Sequence, residues 1–70
     1  MSWHRIIKLN RKKNFQFHFT IESYDNMGLV TTLSKEGSDL ILECTTPLSN
    51  AKFYDKVIDN ILNEIRSGDK

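Results

Sequence analysis

Apolar residues recur along this chain with two different periods, and the change of period divides it into elements. Near the C-terminus Tyr54, Val57, Ile58, Ile61, Leu62 and Ile65 return at three- and four-residue steps, which places them on one face of a helix. Lys52, Asp55, Lys56, Asp59, Asn63 and Arg66 fall mostly on the other face. The spacing predicts an amphipathic helix over about residues 47–66. Thr46-Pro47 suits its start, because threonine can cap the first free N–H groups and proline at the first helical position gives up no hydrogen bond. Ser49 or Asn50 would serve equally for a later start, and Gly68 can take the left-handed conformation that closes a helix.

Upstream, residues 29–33 and 39–45 are short β-favouring runs around Ser34-Lys35-Glu36-Gly37-Ser38, a polar, glycine-containing connector of hairpin type. In the second run Leu40, Leu42 and Cys44 share one face, while Asp39, Glu43 and Thr45 share the other with Ile41. The apolar face is expected to meet the helix. A further short strand is expected at Ile6-Ile7-Lys8-Leu9.

Between them, Phe15, Phe17, Phe19 and Ile21 alternate with Gln16, His18, Thr20 and Glu22. A period of two reads as a half-buried strand over residues 14–24. Laid on a helix, Phe17, Ile21 and Tyr24 cluster while Phe15 and Phe19 fall almost opposite, so a helix here would need cover on both sides. The pattern favours the strand, with its phenylalanines in the core. The expected fold class is therefore α+β in two layers, one domain over residues 1–70: an antiparallel sheet of three to four strands covered by a C-terminal amphipathic helix.

The segment Ile21-Glu22-Ser23-Tyr24-Asp25-Asn26-Met27-Gly28-Leu29-Val30-Thr31-Thr32-Leu33 resembles the core of a family of short, functionally uncharacterised bacterial proteins. Their pattern runs Glu-x-Tyr-Asp, a small apolar group and Val-x-Thr-hydrophobic, followed by an acidic-glycine turn, an apolar strand, a proline and a closing helix. Glu22, Tyr24, Asp25, Val30, Thr32, Gly37, Leu40, Leu42 and Pro47 fall in that order here, over about two thirds of the chain. The resemblance implies a β-α-β-β-α order, similar to a truncated ferredoxin-like or ACT-like unit, and makes residues 12–24 a helix. It implies no activity.

Size adds a constraint. A chain of 70 residues buries only roughly 60% of the surface that its unfolded form exposes. Small domains commonly lean on disulfides, a metal or a partner subunit. Cys44 is the only cysteine, which excludes an internal disulfide and a cysteine-based zinc site. No cofactor is expected, and oligomerisation is the remaining support. No apolar run nears the roughly 20 residues that span a bilayer, and Met1-Ser2-Trp3-His4-Arg5 lacks the apolar core of a secretory signal. With a lone thiol, the expected place is the cytoplasm, away from the membrane. The abundance of Lys, Asn and Ile suits an AT-rich bacterial or phage genome.

Charge is unevenly spread. Residues 1–13 hold Arg5, Lys8, Arg11, Lys12 and Lys13 and no acid, whereas residues 14–70 hold five bases against nine acids, within a net charge of +1. Such asymmetry points to an anionic partner. The five bases could neutralise phosphates and Trp3, Phe15, Phe17 and Phe19 could stack on bases. Lys13-Asn14-Phe15-Gln16-Phe17 has some likeness to the basic-aromatic strand of cold-shock domains, without the glycines or the second aromatic motif found there.

Catalysis has little to stand on. His4 and His18 are the side chains suited to base chemistry near neutral pH, but His4 belongs to an N-terminal tail and His18 lies opposite the phenylalanines. A Cys44–His18 dyad would need Cys44 to leave the apolar face that it shares with Leu40 and Leu42. Glu22, Tyr24 and Asp25 precede Gly28; two carboxylates without further ligands make a poor cation site. Asp25-Asn26 suits a turn, with Gly28 supplying an unusual backbone angle. A sheet of three or four strands also leaves two edges open to pairing. The expected function is a non-enzymatic interaction or regulatory module that forms a homo-oligomer or docks on a protein, through a sheet edge or a face carrying His18, Ile41 and Glu43. The alternative is nucleic-acid binding by Arg5, Lys8, Arg11, Lys12 and Lys13.

Overall fold

The computed structural model describes residues 1–24 and 28–67. Strand β1 (Ser2–Asn10) leads through a 3-10 turn (Arg11–Lys13) into helix α1 (Asn14–Glu22); β2 (Leu29–Glu36) and β3 (Asp39–Pro47) form a hairpin, and a second 3-10 turn (Leu48–Asn50) leads into α2 (Ala51–Ser67). The fold is α+β, with a three-stranded antiparallel sheet in the order β1-β3-β2. Both outer strands run antiparallel to β3, so β1 and β2 are parallel to each other and α1 is the crossover between them. This is the β-α-β-β-α order that the family resemblance implies.

Residues 14–24 correct the strand reading: Asn14–Glu22 are helical. The cause lies in the arithmetic of the helix. Residues two apart differ by roughly 200° around a helix, so an alternating apolar run laid on one puts Phe17 and Ile21 on one side and Phe15 and Phe19 on the other. The same alternation that marks one face of a strand marks both faces of a helix.

The hairpin is tighter than expected. Both strands extend to a two-residue turn at Gly37-Ser38, where Gly37 has φ +61°, the left-handed value such turns require. The longer β2 fits because the register slips between Thr32 and Ser34, leaving Leu33 as the extra residue of a bulge. The N-terminal strand is also longer than the four residues expected, running Ser2–Asn10 and pairing along all of β3. The closing helix starts later than Pro47: Thr46 is buried in β3, Pro47 ends that strand, and the helix proper begins at Ala51. Asp25 and Asn26, the expected turn, and Gly68, the expected helix stop, lie outside the described residues.

The core sits between the sheet and the two helices. Leu40, Leu42 and Cys44 of β3 and Ile7 and Leu9 of β1 meet Phe17 and Ile21 of α1 and Tyr54, Val57, Ile58, Ile61, Leu62 and Ile65 of α2. All six apolar residues expected on the inner face of α2 are buried. Trp3 meets Tyr54 edge to face, with ring centroids 6.3 Å apart. Gly28 belongs here because of space rather than turn geometry: a Cβ at this position would lie 2.8 Å from the Tyr54 ring and closer still to the Thr45 carbonyl.

Candidate interaction surface

Helix α1 offers apolar side chains on both sides and the fold covers one. Phe17 is fully buried and Ile21 nearly so, whereas Phe15 is 79% and Phe19 70% exposed. The two exposed rings lie one helical turn apart, nearly parallel, with centroids 6.2 Å apart. A helix apolar all round is normally buried all round. The outer face of α1 therefore carries two large rings in water, each able to gain roughly 1.5–3 kcal/mol on burial.

The five N-terminal bases do not act as one arm, because a strand sends alternate side chains to opposite faces. Arg5 points to the helix side, where it donates to Asp55 at 2.7 Å and Asp59 at 2.8 Å on α2. Burial alone would lower the Arg5 pKa; its hydrogen bonds and charge interactions with Asp59 and Asp55 outweigh that and raise it. Lys8 lies on the open sheet face, 3.9 Å from both Glu36 and Asp39. Arg11, Lys12 and Lys13 form the 3-10 turn before α1, held by the Lys12 N–H donating to Asn10 Oδ1 at 2.9 Å and the Arg11 N–H donating to the Ser38 carbonyl at 2.8 Å. Arg11 and Lys12 are exposed one turn ahead of Phe15. Lys13 lines a small depression of about 170 Å³ together with Leu62, Ile65 and Arg66 of α2. Sequence reasoning left Arg66 out of the basic set because it is remote along the chain. Its place in the last turn of α2 was the available sign.

His18, Ile41 and Glu43 do not share a face, which corrects the expected docking surface. His18 is on α1, its ring edge-on to Phe17, whereas Ile41 and Glu43 are on the open face of the sheet beyond β3. His4 belongs to β1 rather than to a tail, and its Nδ1 lies 3.2 Å from Glu43.

Cys44 is buried on the helix side of β3. Burial above all, aided by Glu43 and opposed by Arg5, pushes its thiol up to about 11, which leaves it protonated and unreactive at neutral pH. Burial and the adjacent Cys44 push Tyr54 up to about 12. Two further depressions flank Gly28. One of about 620 Å³ is lined by Met1, Ser2, Leu29, Thr45, Pro47 and Asn50 among others, with no titratable side chain. The other, about 330 Å³, brings His18 and Glu22 near Tyr54 and Val30. Among the described residues no group of three His, Cys, Asp or Glu is placed to hold a metal, and no helix is long and apolar enough to cross a membrane.

The sheet edges are β1 and β2. Each carries devices that discourage pairing: His4 and Lys8 on β1, and the bulge, Lys35 and Glu36 on β2. The outer face of α1 carries none between Phe15 and Phe19. No family model, no curated protein and no solved structure matches this chain.

Proposed function

We propose that this chain is a small non-enzymatic interaction module that works by presenting the outer face of α1 to another protein chain. The observation that carries the reading is the pair Phe15 and Phe19, largely exposed on a helix whose opposite side is core. Exposed rings rimmed by polar residues are the usual mark of a protein contact, and a 70-residue domain gains stability from any contact that completes its burial. A photo-crosslinking residue in place of Phe15, compared with the same group at exposed Lys52 on α2, tests it in cells that express the chain. A discrete protein adduct from position 15 alone is expected; no adduct above the Lys52 control would sink the reading.

Nucleic-acid binding is the second reading, favoured by one arrangement: Arg11 and Lys12 are exposed immediately before the exposed Phe15, and cations beside stacking rings suit single strands. Arg5 is engaged by α2 and Lys8 sits among acids, so the exposed cationic set beside Phe15 narrows to Arg11 and Lys12. Two phosphate contacts would give a log–log salt slope of about −1.4 on a random single-stranded oligonucleotide. Arg11→Glu with Lys12→Glu should then abolish binding, and no binding at low salt would remove this reading.

A further inference from the structure

We infer that the partner of the α1 outer face is a second copy of the same chain, packed antiparallel across a two-fold axis. The inference deepens the docking reading above and rests on it. Its basis is the order of residues along the exposed stripe. At about 100° per residue, Lys12, Phe15, Phe19 and Glu22 fall within an arc of roughly 80° on the outer side of the helix and the turn that precedes it. All four are exposed. The stripe therefore reads cation, ring, ring, anion, with steps of three, four and three residues, the spacing of a seam between two helices.

That order is self-complementary only when the second helix runs the other way. The pair Phe15 and Phe19 and the pair Lys12 and Glu22 are both centred on residue 17. A two-fold axis through that point sets Phe15 against Phe19 of the second copy, and Lys12 against its Glu22, twice over. This is an isologous contact, in which one patch serves as its own partner. A parallel arrangement would instead oppose Lys12 to Lys12 and Glu22 to Glu22. α1 supports the polarity as well, since it has no acid in its first turn and Glu22 is its last residue.

Area sets the strength. With roughly 150–250 Å² per aromatic side chain, the exposed parts of the two rings amount to about 300 Å² per protomer. The two protomers together then contribute about half of the roughly 1,200 Å² at the lower bound of standard interfaces. Flanking side chains such as Arg11 and Gln16 must supply the rest, so the dimer is weak and concentration-dependent.

Sedimentation equilibrium on the full chain from about 10 µM to about 1 mM tests this, because dissociation of such a dimer must appear within an accessible range. Phe15→Gln with Phe19→Gln should abolish association, while the far-ultraviolet circular dichroism of the dilute protein is unchanged. Lys12→Glu alone and Glu22→Lys alone should each weaken association by about tenfold, since two surface pairs are turned into two repulsions. The double reversal, Lys12→Glu with Glu22→Lys, should restore it. A strict monomer throughout, association that survives loss of both rings, or a double reversal that fails to restore it would each overturn the proposal. The crosslink at position 15 separates this failure from that of the docking reading. An adduct of twice the 8.2 kDa chain mass supports self-pairing, an adduct of another mass overturns self-pairing while keeping docking, and no adduct overturns both.

Discussion

Helices α1 and α2 close the same core against the same sheet, yet they leave different shares of their large apolar side chains uncovered. On α2 six apolar residues form one buried stripe, with Phe53 54% exposed beside it, and the opposite side carries Lys52, Lys56, Asp59, Asn63 and Glu64 in water. On α1 the apolar residues form two stripes; Phe17 and Ile21 are buried, and Phe15 and Phe19 are not. Apolar residues thus have different consequences according to their angular distribution. A one-sided helix is satisfied by a single layer, whereas a two-sided helix in a two-layer fold leaves a face over. That remainder is where an interaction surface is to be sought.

The largest effect that can test the contrast comes from residues two apart on α1. Phe17→Ala empties a fully buried site and should cost about 3–5 kcal/mol. A chain of 70 residues has about 4–10 kcal/mol in total, so this variant is expected to be largely unfolded by urea titration. A loss below about 1 kcal/mol would mean that α1 is not packed on the sheet as described.

Next come the buried ionisable groups beneath α2. The Cys44 thiol rises from 9.0 to about 11 and the Tyr54 hydroxyl from 10.0 to about 12, both because burial disfavours the anion. A raised folded pKa contributes stability that is complete below the unfolded value and disappears as pH climbs through the folded one. Stability should thus be level up to about pH 8.5, fall between about pH 9 and 11 as Cys44 is drawn to ionise, and fall further toward pH 12 with Tyr54. Each is worth about 2–3 kcal/mol at most. Urea midpoints measured across this range check it, and Cys44→Ala should delay the onset to about pH 10. Gly28→Ala tests the same packing sterically: its Cβ would press on the Tyr54 ring and the Thr45 carbonyl, at an expected cost of about 1–3 kcal/mol.

What could be read from the sequence follows the same division. The inner face of α2 was legible residue by residue because its period of 3.6 has no competing explanation, and the Leu40-Leu42-Cys44 face because alternation beside a glycine turn means a hairpin strand. α1 was not legible, since Phe15, Phe17, Phe19 and Ile21 satisfy the strand period and a two-sided helix equally well; only tertiary context decides. The family resemblance pointed to the helix where periodicity did not. The basic set failed for a related reason. Arg5, Lys8 and Arg11–Lys13 look like one arm on paper, but a strand splits them between faces, and Asp55 and Asp59, fifty residues away, take Arg5. Arg66 joins Lys13 only through the fold.

Arg5 also measures how firmly α2 is held from its flank. It reaches two carboxylates one helical turn apart, but Asp55 and Asp59 are about half exposed, so solvent screening limits the clamp to about 1 kcal/mol. Arg5→Met keeps the aliphatic packing and should lose that amount. The loss should shrink as salt is raised; one that ignores salt would assign the role of Arg5 to packing alone.

The smallest expected effect is the sharpest test of the comparison. Phe15→Ala removes a ring that the monomer does not bury and installs a better helix former, so in dilute solution its stability should change by less than about 0.5 kcal/mol in either direction. Under the proposed self-pairing, the wild-type chain gains from association in concentrated solution and the variant does not. The melting temperature of the wild type should therefore rise with concentration while that of Phe15→Ala stays level, so the two curves meet at low concentration and diverge above it. A variant destabilised equally at every concentration would place Phe15 in the monomer's own core and erase the distinction between the two helices. Phe17→Ala, two residues away, must show the opposite signature, a loss already complete in the dilute monomer, because its ring is buried by the chain itself.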